Sequence, residues 1–132
     1  MKLITRDTDY AIRALCFIAK NSRRKISVSE LVKTINTPLP FLRKNLQILN
    51  KKGILQSSKG AGGGFELAIS PQKIFIMDLM NIFQGPFKLN ECILKKKTCP
   101  NIRICALKKK IDRIEKRIVS ELKSVTIASL LK

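Results

Sequence analysis

The fold is decided by residues 39–69, which read LPFLRKNLQILNKKGILQSSKGAGGGFELAI. In the first half of this stretch, apolar side chains recur three and four residues apart, the period of one helix face. They are Leu39, Leu42, Leu46 and Leu49. Pro38 and Pro40 fit only in a first helical turn, and Gly53 is a typical C-terminal stop. The pattern predicts a helix over residues 40–51.

The second half of the stretch changes period. Residues 54–58 and 65–69 are short, strand-like runs, and residues 59–64, KGAGGG, join them. Two such runs around a glycine-rich connection predict a β-hairpin with a flexible tip.

Two further helices are predicted upstream. Residues 8–20 carry one apolar stripe at helical spacing. Its members are Ala11, Ala14, Leu15, Ile18 and Ala19. Residues 27–30, SVSE, have the form of a capping box, and a second, shorter apolar stripe follows them. Three helices and then a hairpin is the order of a winged helix-turn-helix domain, so we expect a mainly α fold with a small β-hairpin.

Downstream, residues 74–83 predict a fourth helix that ends at Gly85 and Pro86. From residue 104 onward a narrow apolar seam follows spacings of three and four. Its members are Ile104, Leu107, Ile111, Ile114, Ile118, Leu122 and Val125. This long helix could pack on its own domain, but a helix of this length on a small domain favours pairing with a second copy. We therefore expect a homodimer.

The chain divides on this basis into three regions. Residues 1–85 form the expected winged helix-turn-helix domain, residues 86–104 form a cysteine-containing sensor loop, and residues 105–132 form the dimerisation helix with a C-terminal turn. With 132 residues, the chain is long enough for one core, and two independent domains are not expected.

The charge points to a polyanionic partner. Lys and Arg number 27 against 9 Asp and Glu, a formal net charge of +18, which suits a nucleic acid or an anionic membrane surface and can also reflect compositional bias. No apolar run approaches the roughly 18 residues of a membrane span, and no signal-peptide pattern opens the chain. We expect a cytoplasmic protein that does not bind membranes.

The predicted third helix has the composition of a helix that reads double-stranded DNA. Its donor-rich face suits bases and phosphates, although a solvated polar face has a similar composition. The expected contacts on this helix are Pro40, Phe41, Arg43, Lys44, Asn45, Gln47 and Lys51. In the hairpin, Lys59 supplies charge, and Gly60, Gly62 and Gly63 keep the tip thin enough to approach DNA.

Several motifs together resemble the Rrf2 family of winged-helix regulators, the group of IscR, NsrR and CymR. Residues 8–15, TDYAIRAL, and residues 41–44, FLRK, are similar to family segments. Residues 59–68, KGAGGGFELA, match the family's wing, with Lys59 where the family usually has Arg. Residues 126–131, TIASLL, resemble its last turn. The resemblance spans almost the whole chain and implies a transcriptional regulator, expected to be a repressor.

Three cysteines, Cys92, Cys99 and Cys105, lie close together with six and five residues between them. Their spacing differs from the C-x-x-C pairs of most structural zinc sites, so a metal centre and a redox-sensitive patch both stay open. Cys105 is at the predicted start of the long helix, where the dipole stabilises an anion. Cys16 is expected to be a small core side chain.

The family resemblance implies that the three cysteines ligate an iron–sulfur cluster, [2Fe-2S] or [4Fe-4S]. In one branch of the family the remaining ligand is a His, but this chain has none. In the nitric-oxide-sensing branch it is an Asp of the partner subunit within the TDY-like segment, which corresponds here to Asp9. A carboxylate in a first helical turn is also favoured by the helix dipole alone.

Three function classes follow. The favoured one is a regulator that senses redox state, nitric oxide or iron through the cluster, and the alternative is a cluster-free regulator that uses thiol chemistry or a protein partner. An iron–sulfur electron carrier would not need the wing or the basic helix. Because the chain lacks His and paired carboxylates in a recognisable pocket, neither an enzyme nor a small-molecule substrate is expected.

Overall fold

The computed structural model describes residues 3–89, 93–94, 97–98, 100 and 103–131. Its helices are α1 (Arg6–Lys20), α2 (Val28–Ile35), α3 (Leu39–Lys51), α4 (Ile76–Gln84) and α5 (Ala106–Lys123). Its strands are β1 (Leu55–Ser58), β2 (Gly64–Leu67), β3 (Ile93–Leu94) and β4 (Lys97–Thr98). Two short 3₁₀ turns, Pro71–Lys73 and Ala128–Leu130, precede α4 and follow α5. The predicted helices and the hairpin are all present, in the predicted order.

The second helix begins at the predicted cap. Ser27 has extended backbone geometry, and its hydroxyl accepts a hydrogen bond from the Glu30 backbone N–H at 3.2 Å, which satisfies one of the free donors at a helix start. In a complete capping box the Glu30 carboxylate would accept from the Ser27 backbone N–H. Here it forms a two-point ion pair with Arg24, at 2.7 and 2.5 Å. This pairing lowers the pKa of Glu30 and raises that of Arg24, chiefly through the shared hydrogen bonds.

The hairpin extends to a third segment that the sequence did not predict. β1 and β2 pair antiparallel, with Leu55 opposite Leu67 and Ser58 opposite Gly64. On the other side of β2, Ile26 exchanges backbone hydrogen bonds with Phe65 at 2.9 and 2.8 Å. A Cβ atom on Gly64 would lie 2.5 Å from the Ile26 carbonyl oxygen, so only glycine permits this approach of the two backbones.

Helix α1 lies at the centre of the core. Ala11, Ala14, Leu15 and Ile18 are almost completely buried, as the predicted stripe requires. They pack with apolar side chains of α2, α3, β2 and α4. Among the leucines predicted to line α3, Leu42, Leu46 and Leu49 are fully buried, but Leu39 is 41% exposed. Leu39 is the first residue of the helix and lies on its exposed first turn, so the expectation that it faces the core was wrong.

The C-terminal turn returns to the first domain. Backbone N–H groups of Ile76 and Ile127 donate to the carbonyls of Val125 and Ile74, at 3.0 and 2.9 Å, and the Ile127 side chain is fully buried in the core cluster. The core of residues 1–85 therefore includes a side chain from beyond α5, which the three-region division did not anticipate.

Helix α5 has no buried residue along its length. Three members of the predicted seam are strongly exposed: Leu107 at 64% and Ile114 at 52% on the helix, and Ile104 at 80% just before its N-cap. Only the C-terminal part of the seam, at Leu122 and Val125, packs against the core. Most of the seam is thus available to another surface. Among the described helices, none has the length and apolar character needed to cross a lipid bilayer.

Candidate nucleic-acid interface

Helices α2 and α3 form a helix-turn-helix whose second helix presents a polar face to solvent. Asn36 makes the turn in a left-handed conformation (φ 50°), which Asn tolerates better than most residues. On α3, most of the predicted contact residues are exposed. They are Pro40, Phe41, Arg43, Lys44, Gln47 and Lys51, and Asn50 is exposed beside them. This face therefore combines cations, amides and one aromatic ring.

The exposed face of α3 is not flat. Lys44, Gln47 and Lys51 line a surface depression of about 560 Å³ together with Ile48 and Asn50. Amide and ammonium donors around a shallow depression can form hydrogen bonds with base edges and phosphate oxygens.

Asn45 is the exception among the predicted contacts on α3. It is only 1% exposed, and its side-chain Nδ2 donates to the backbone carbonyl of Asp7 at 3.3 Å. The expectation that Asn45 lies on the exposed, base-reading face was wrong. The signal was present in the sequence, because Leu42, Asn45, Leu46 and Leu49 follow the spacing of one buried face and Asn45 is its only polar member.

The wing carries the predicted charge and the predicted thin tip. Lys59, Gly60 and Gly62 are exposed. Gly60 and Gly62 have φ values of 91° and 76°, which glycine adopts without strain. Gly63 has a different role, since an added Cβ there would lie 2.5 Å from the Ser58 carbonyl oxygen. Gly63 is therefore required by the packing of the hairpin itself.

Of the predicted metal ligands, Cys92 and Cys99 lie outside the described residues. Cys105 is the N-cap of α5, and its Sγ accepts a hydrogen bond from the Lys108 backbone N–H at 3.3 Å. This contact satisfies one of the backbone donors that a helix start leaves without an intrahelical partner. Within the ranges that the structure describes, no three His, Cys, Asp or Glu side chains gather closely enough to hold a metal ion.

Asp9 lies in the first turn of α1, as predicted. Its carboxylate accepts a hydrogen bond from Arg13 Nε at 2.9 Å, and it lines a surface pocket of about 350 Å³ with Thr5, Arg6 and Tyr10. An open pocket next to a carboxylate leaves room for a ligand or a partner chain at this end of α1. Cys16, in contrast, is half-buried, and burial raises its thiol pKa, partly offset by Lys20.

The segment that leads toward the cysteines is held at its start. The Leu89 backbone N–H donates to Glu115 Oε1 at 2.8 Å, and Lys88 pairs with the same carboxylate at 3.6 Å. Because Glu115 lies on α5, the beginning of the segment is attached directly to the long helix.

Comparison with known proteins matches this arrangement of helix-turn-helix, wing and long helix. A family model described as Rrf2, iron-dependent transcriptional regulator, matches residues 4–132. This chain belongs to the Rrf2 family. An Aquifex aeolicus protein whose name places it among HTH-type transcriptional regulators is 35% identical over 124 residues, which cover 92% of this chain and 86% of the relative.

Two further Rrf2-type comparisons extend over nearly the whole chain. The HTH-type transcriptional regulator NsrR of Bacillus licheniformis is 29% identical over 133 residues, covering 99% of this chain and 92% of NsrR. The solved structure of CymR, the global cysteine regulator of B. subtilis, has a TM-score of 0.75 at 22% identity and covers 99% and 97% of the two chains. The predicted family and the winged-helix fold class are confirmed.

The family also settles the broad function. The Rrf2 chain is a DNA-binding transcriptional regulator, and the prediction that it is not an enzyme is confirmed because its relatives are regulators.

Proposed function

We propose that this Rrf2 regulator binds double-stranded DNA as a homodimer and represses transcription according to the state of an iron–sulfur cluster. The observation that carries the DNA-binding part is the exposed face of α3, where Arg43, Lys44, Gln47 and Lys51 all reach solvent. A helix with side chains is about 10–12 Å wide, and the major groove of B-DNA is about 12 Å wide.

The residues of α3 divide by chemistry. Arg43 and Gln47 carry the planar, multi-donor groups that recognise guanine and adenine edges. Lys44 and Lys51 supply point charges for phosphates. Pro40 and Phe41 present apolar surface at the start of the helix, which suits a thymine methyl group. Asn45, which is buried, has no part in this reading.

The wing supplies a second, sequence-independent contact. Lys59 has a compact charge without the planar fork of arginine, so a phosphate suits it better than a narrow minor groove. Gly60 and Gly62 leave open space where side chains would otherwise stand, which lets the backbone of the tip approach the DNA.

The homodimer is supported by the seam of α5. Leu107 and Ile114 expose large apolar surfaces along α5, and Ile104 adds another just before the helix begins. A second copy would cover them by the heptad-like pairing that the spacing of the seam favours. A two-fold dimer would present two α3 helices to successive half-sites on one face of the DNA.

The cluster part of the proposal rests on the donor set and on the family resemblance. Cys92, Cys99 and Cys105 would hold the cluster, with Asp9 of the second subunit as the remaining ligand. Thiolates suit iron–sulfur chemistry, and the bound cluster would supply a redox- or nitric-oxide-sensitive group. Cys105 is already placed at the start of α5, where the Lys108 backbone N–H donates to its sulfur. The hydrogen bond from Arg13 goes to Asp9 Oδ2, so ligation through Oδ1 would leave that bond in place as an outer contact of the ligand.

A second candidate is a cluster-free regulator that responds through thiol chemistry. Cys105 Sγ is held at the start of α5 by the hydrogen bond from the Lys108 backbone N–H, a placement that thiol chemistry can use without a cluster. In this candidate, oxidation of the cysteines or a protein partner is the signal, and DNA binding by α3 is unchanged.

Anaerobic reconstitution with iron and sulfide separates the two candidates. The cluster proposal predicts a coloured protein with bound iron and sulfide, loss of colour in Cys105→Ser and retention of colour in the matched control Cys16→Ser. DNA affinity should differ between the loaded and the metal-free forms. A colourless, metal-free protein with the same DNA affinity before and after reconstitution would show that the cluster proposal is wrong.

The DNA-binding role of α3 is tested on a duplex selected in vitro by the unmodified chain. Lys44→Gln should weaken binding about equally for all sequences and reduce the dependence of log K on log salt concentration by about 0.9 for each phosphate that the variant no longer neutralises. Gln47→Ala should instead reduce discrimination at particular base pairs, by about 1–3 kcal/mol. The matched control is Lys110→Gln, an exposed lysine on α5, and an equal loss of affinity in this control would contradict the assignment.

A further inference from the structure

Gln84, the last residue of α4, binds the beginning of α1 through three hydrogen bonds. Its Oε1 accepts from the Thr5 backbone N–H at 3.0 Å and from the Thr8 hydroxyl at 2.7 Å. Its Nε2 donates to the Leu3 carbonyl at 2.9 Å. Thr8 is completely buried, so the contact is shielded from water on that side. One side chain therefore fixes the first turn of α1 to the end of α4.

The same turn of α1 is also attached to α3. The Asp7 carbonyl accepts a hydrogen bond from Asn45 Nδ2 at 3.3 Å. Asp7 lies between Thr5 and Thr8, the two residues that Gln84 holds. A continuous set of hydrogen bonds thus runs from α4, through the first turn of α1, to the middle of α3.

Asn45 is an unfavourable choice for core packing alone. It lies between Leu42, Leu46 and Leu49 on the buried face of α3, and its Oδ1 has no hydrogen-bond partner among the described residues. A buried polar atom without a partner destabilises the folded state, whereas a leucine of similar volume would not. The amide is therefore better explained by its hydrogen bond to Asp7, which fixes the position of α3, than by a contribution to the stability of the fold.

We propose that Gln84 and Asn45 are positioning residues of the DNA-binding surface, which fix α3 relative to the start of segment 86–104 through the first turn of α1. Gly85 directly follows Gln84 and begins the connection to that segment, and Glu115 on α5 holds the segment at Leu89. A displacement of this connection would move Gln84, which would move the first turn of α1 through their hydrogen bonds. That turn would then shift α3 through Asn45. The inference rests on the proposed role of α3 in DNA binding and needs no cluster.

A double-mutant cycle on DNA affinity tests the proposal with the full chain as purified. Gln84→Met and Asn45→Leu keep side-chain size and remove the hydrogen bonds. Each should weaken binding to the in vitro selected duplex about 2- to 30-fold, the range typical of mutations that act on coupling between sites. Because both substitutions act through the same turn of α1, their effects on DNA affinity should not add. The double variant should have the same affinity as whichever single variant binds DNA less tightly. Gln72→Met is the matched control, and its affinity should stay unchanged.

Two further readouts distinguish positioning from other roles. Asn45→Leu should keep or raise the melting temperature while it lowers DNA affinity, which a purely structural role does not allow. Gln84→Met should increase amide hydrogen exchange within α3, and this measurement needs no DNA. If Gln84→Met does not fold, Thr8→Val removes the buried hydroxyl that donates to Gln84 and serves in its place.

Any of three results would overturn the proposal. The affinity losses of the two single variants multiply in the double variant, amide hydrogen exchange in α3 is unchanged in Gln84→Met, or both single variants bind DNA as tightly as the unmodified chain. Loss of discrimination at one base pair in Asn45→Leu would also overturn it, because Asn45 would then read a base directly. Failure of the unmodified chain to bind any selected duplex would contradict the proposed function instead, and the hydrogen-exchange result would still decide whether Gln84 positions α3.

Discussion

Replacing Ile127 by alanine is expected to destabilise the whole DNA-binding domain, although the residue lies far from it in sequence. The Ile127 side chain is fully buried in the core cluster. Its backbone N–H bonds to Ile74 at 2.9 Å, and alanine keeps this bond. The loss is therefore one of packing, and removal of a buried isoleucine side chain down to alanine typically costs about 2–5 kcal/mol.

This cost converts into a melting temperature. At about 2.1 cal/mol/K per residue, a chain of 132 residues has an unfolding entropy of about 0.28 kcal/mol/K. A loss of about 3 kcal/mol then lowers the melting temperature by about 11 °C. Thermal unfolding followed by circular dichroism at fixed protein concentration measures this shift.

The matched control is Ile69→Ala, since Ile69 is 37% exposed and should cost about 1 kcal/mol or less. If Ile127→Ala lowers the melting temperature no more than Ile69→Ala, the C-terminal turn does not complete the core and the packing argument is wrong.

Three more outcomes follow from local features. Gly64→Ala places a Cβ 2.5 Å from the Ile26 carbonyl and should cost about 1–3 kcal/mol of stability; unchanged amide protection of Phe65 would contradict this. Ser27→Ala removes the cap of α2 and should lower the free energy of unfolding by about 1 kcal/mol in a denaturant titration. An unchanged denaturant midpoint of unfolding would contradict this. Because burial raises the pKa of Cys16, iodoacetamide at mildly alkaline pH should modify it more slowly in the folded protein than in urea, and equal rates would refute that cause.

Local sequence patterns predicted the helices because the responsible forces are local. Leu42, Leu46 and Leu49 mark the buried face of α3 by spacing alone, and Ser27 marks the start of α2 by its capping hydroxyl. Once the buried face of α3 is known, Arg43 and Gln47 are predicted to be exposed because they lie on the opposite side of the helix. Most of the candidate DNA-binding face could be predicted for the same reason.

Contacts between distant residues could not be predicted in this way. The pairing of Ile26 with Phe65 and the burial of Ile127 depend on where separate segments meet in space. Asn45 was misassigned because its polar side chain suggested exposure, although its spacing placed it on the buried face. The three hydrogen bonds of Gln84 join residues about eighty positions apart in sequence, and no sequence pattern marks them.

The dependence of DNA affinity on salt concentration tests the central claim most directly. Four predicted contact residues per chain are exposed cations: Arg43, Lys44, Lys51 and Lys59. A homodimer would bring eight of them to DNA, and at about 0.9 per phosphate contact the slope of log K against log salt should be about −7. Fluorescence anisotropy with the selected duplex gives this slope for the unmodified chain. A slope shallower than about −2 would contradict an interface built on the basic face of α3 and the wing.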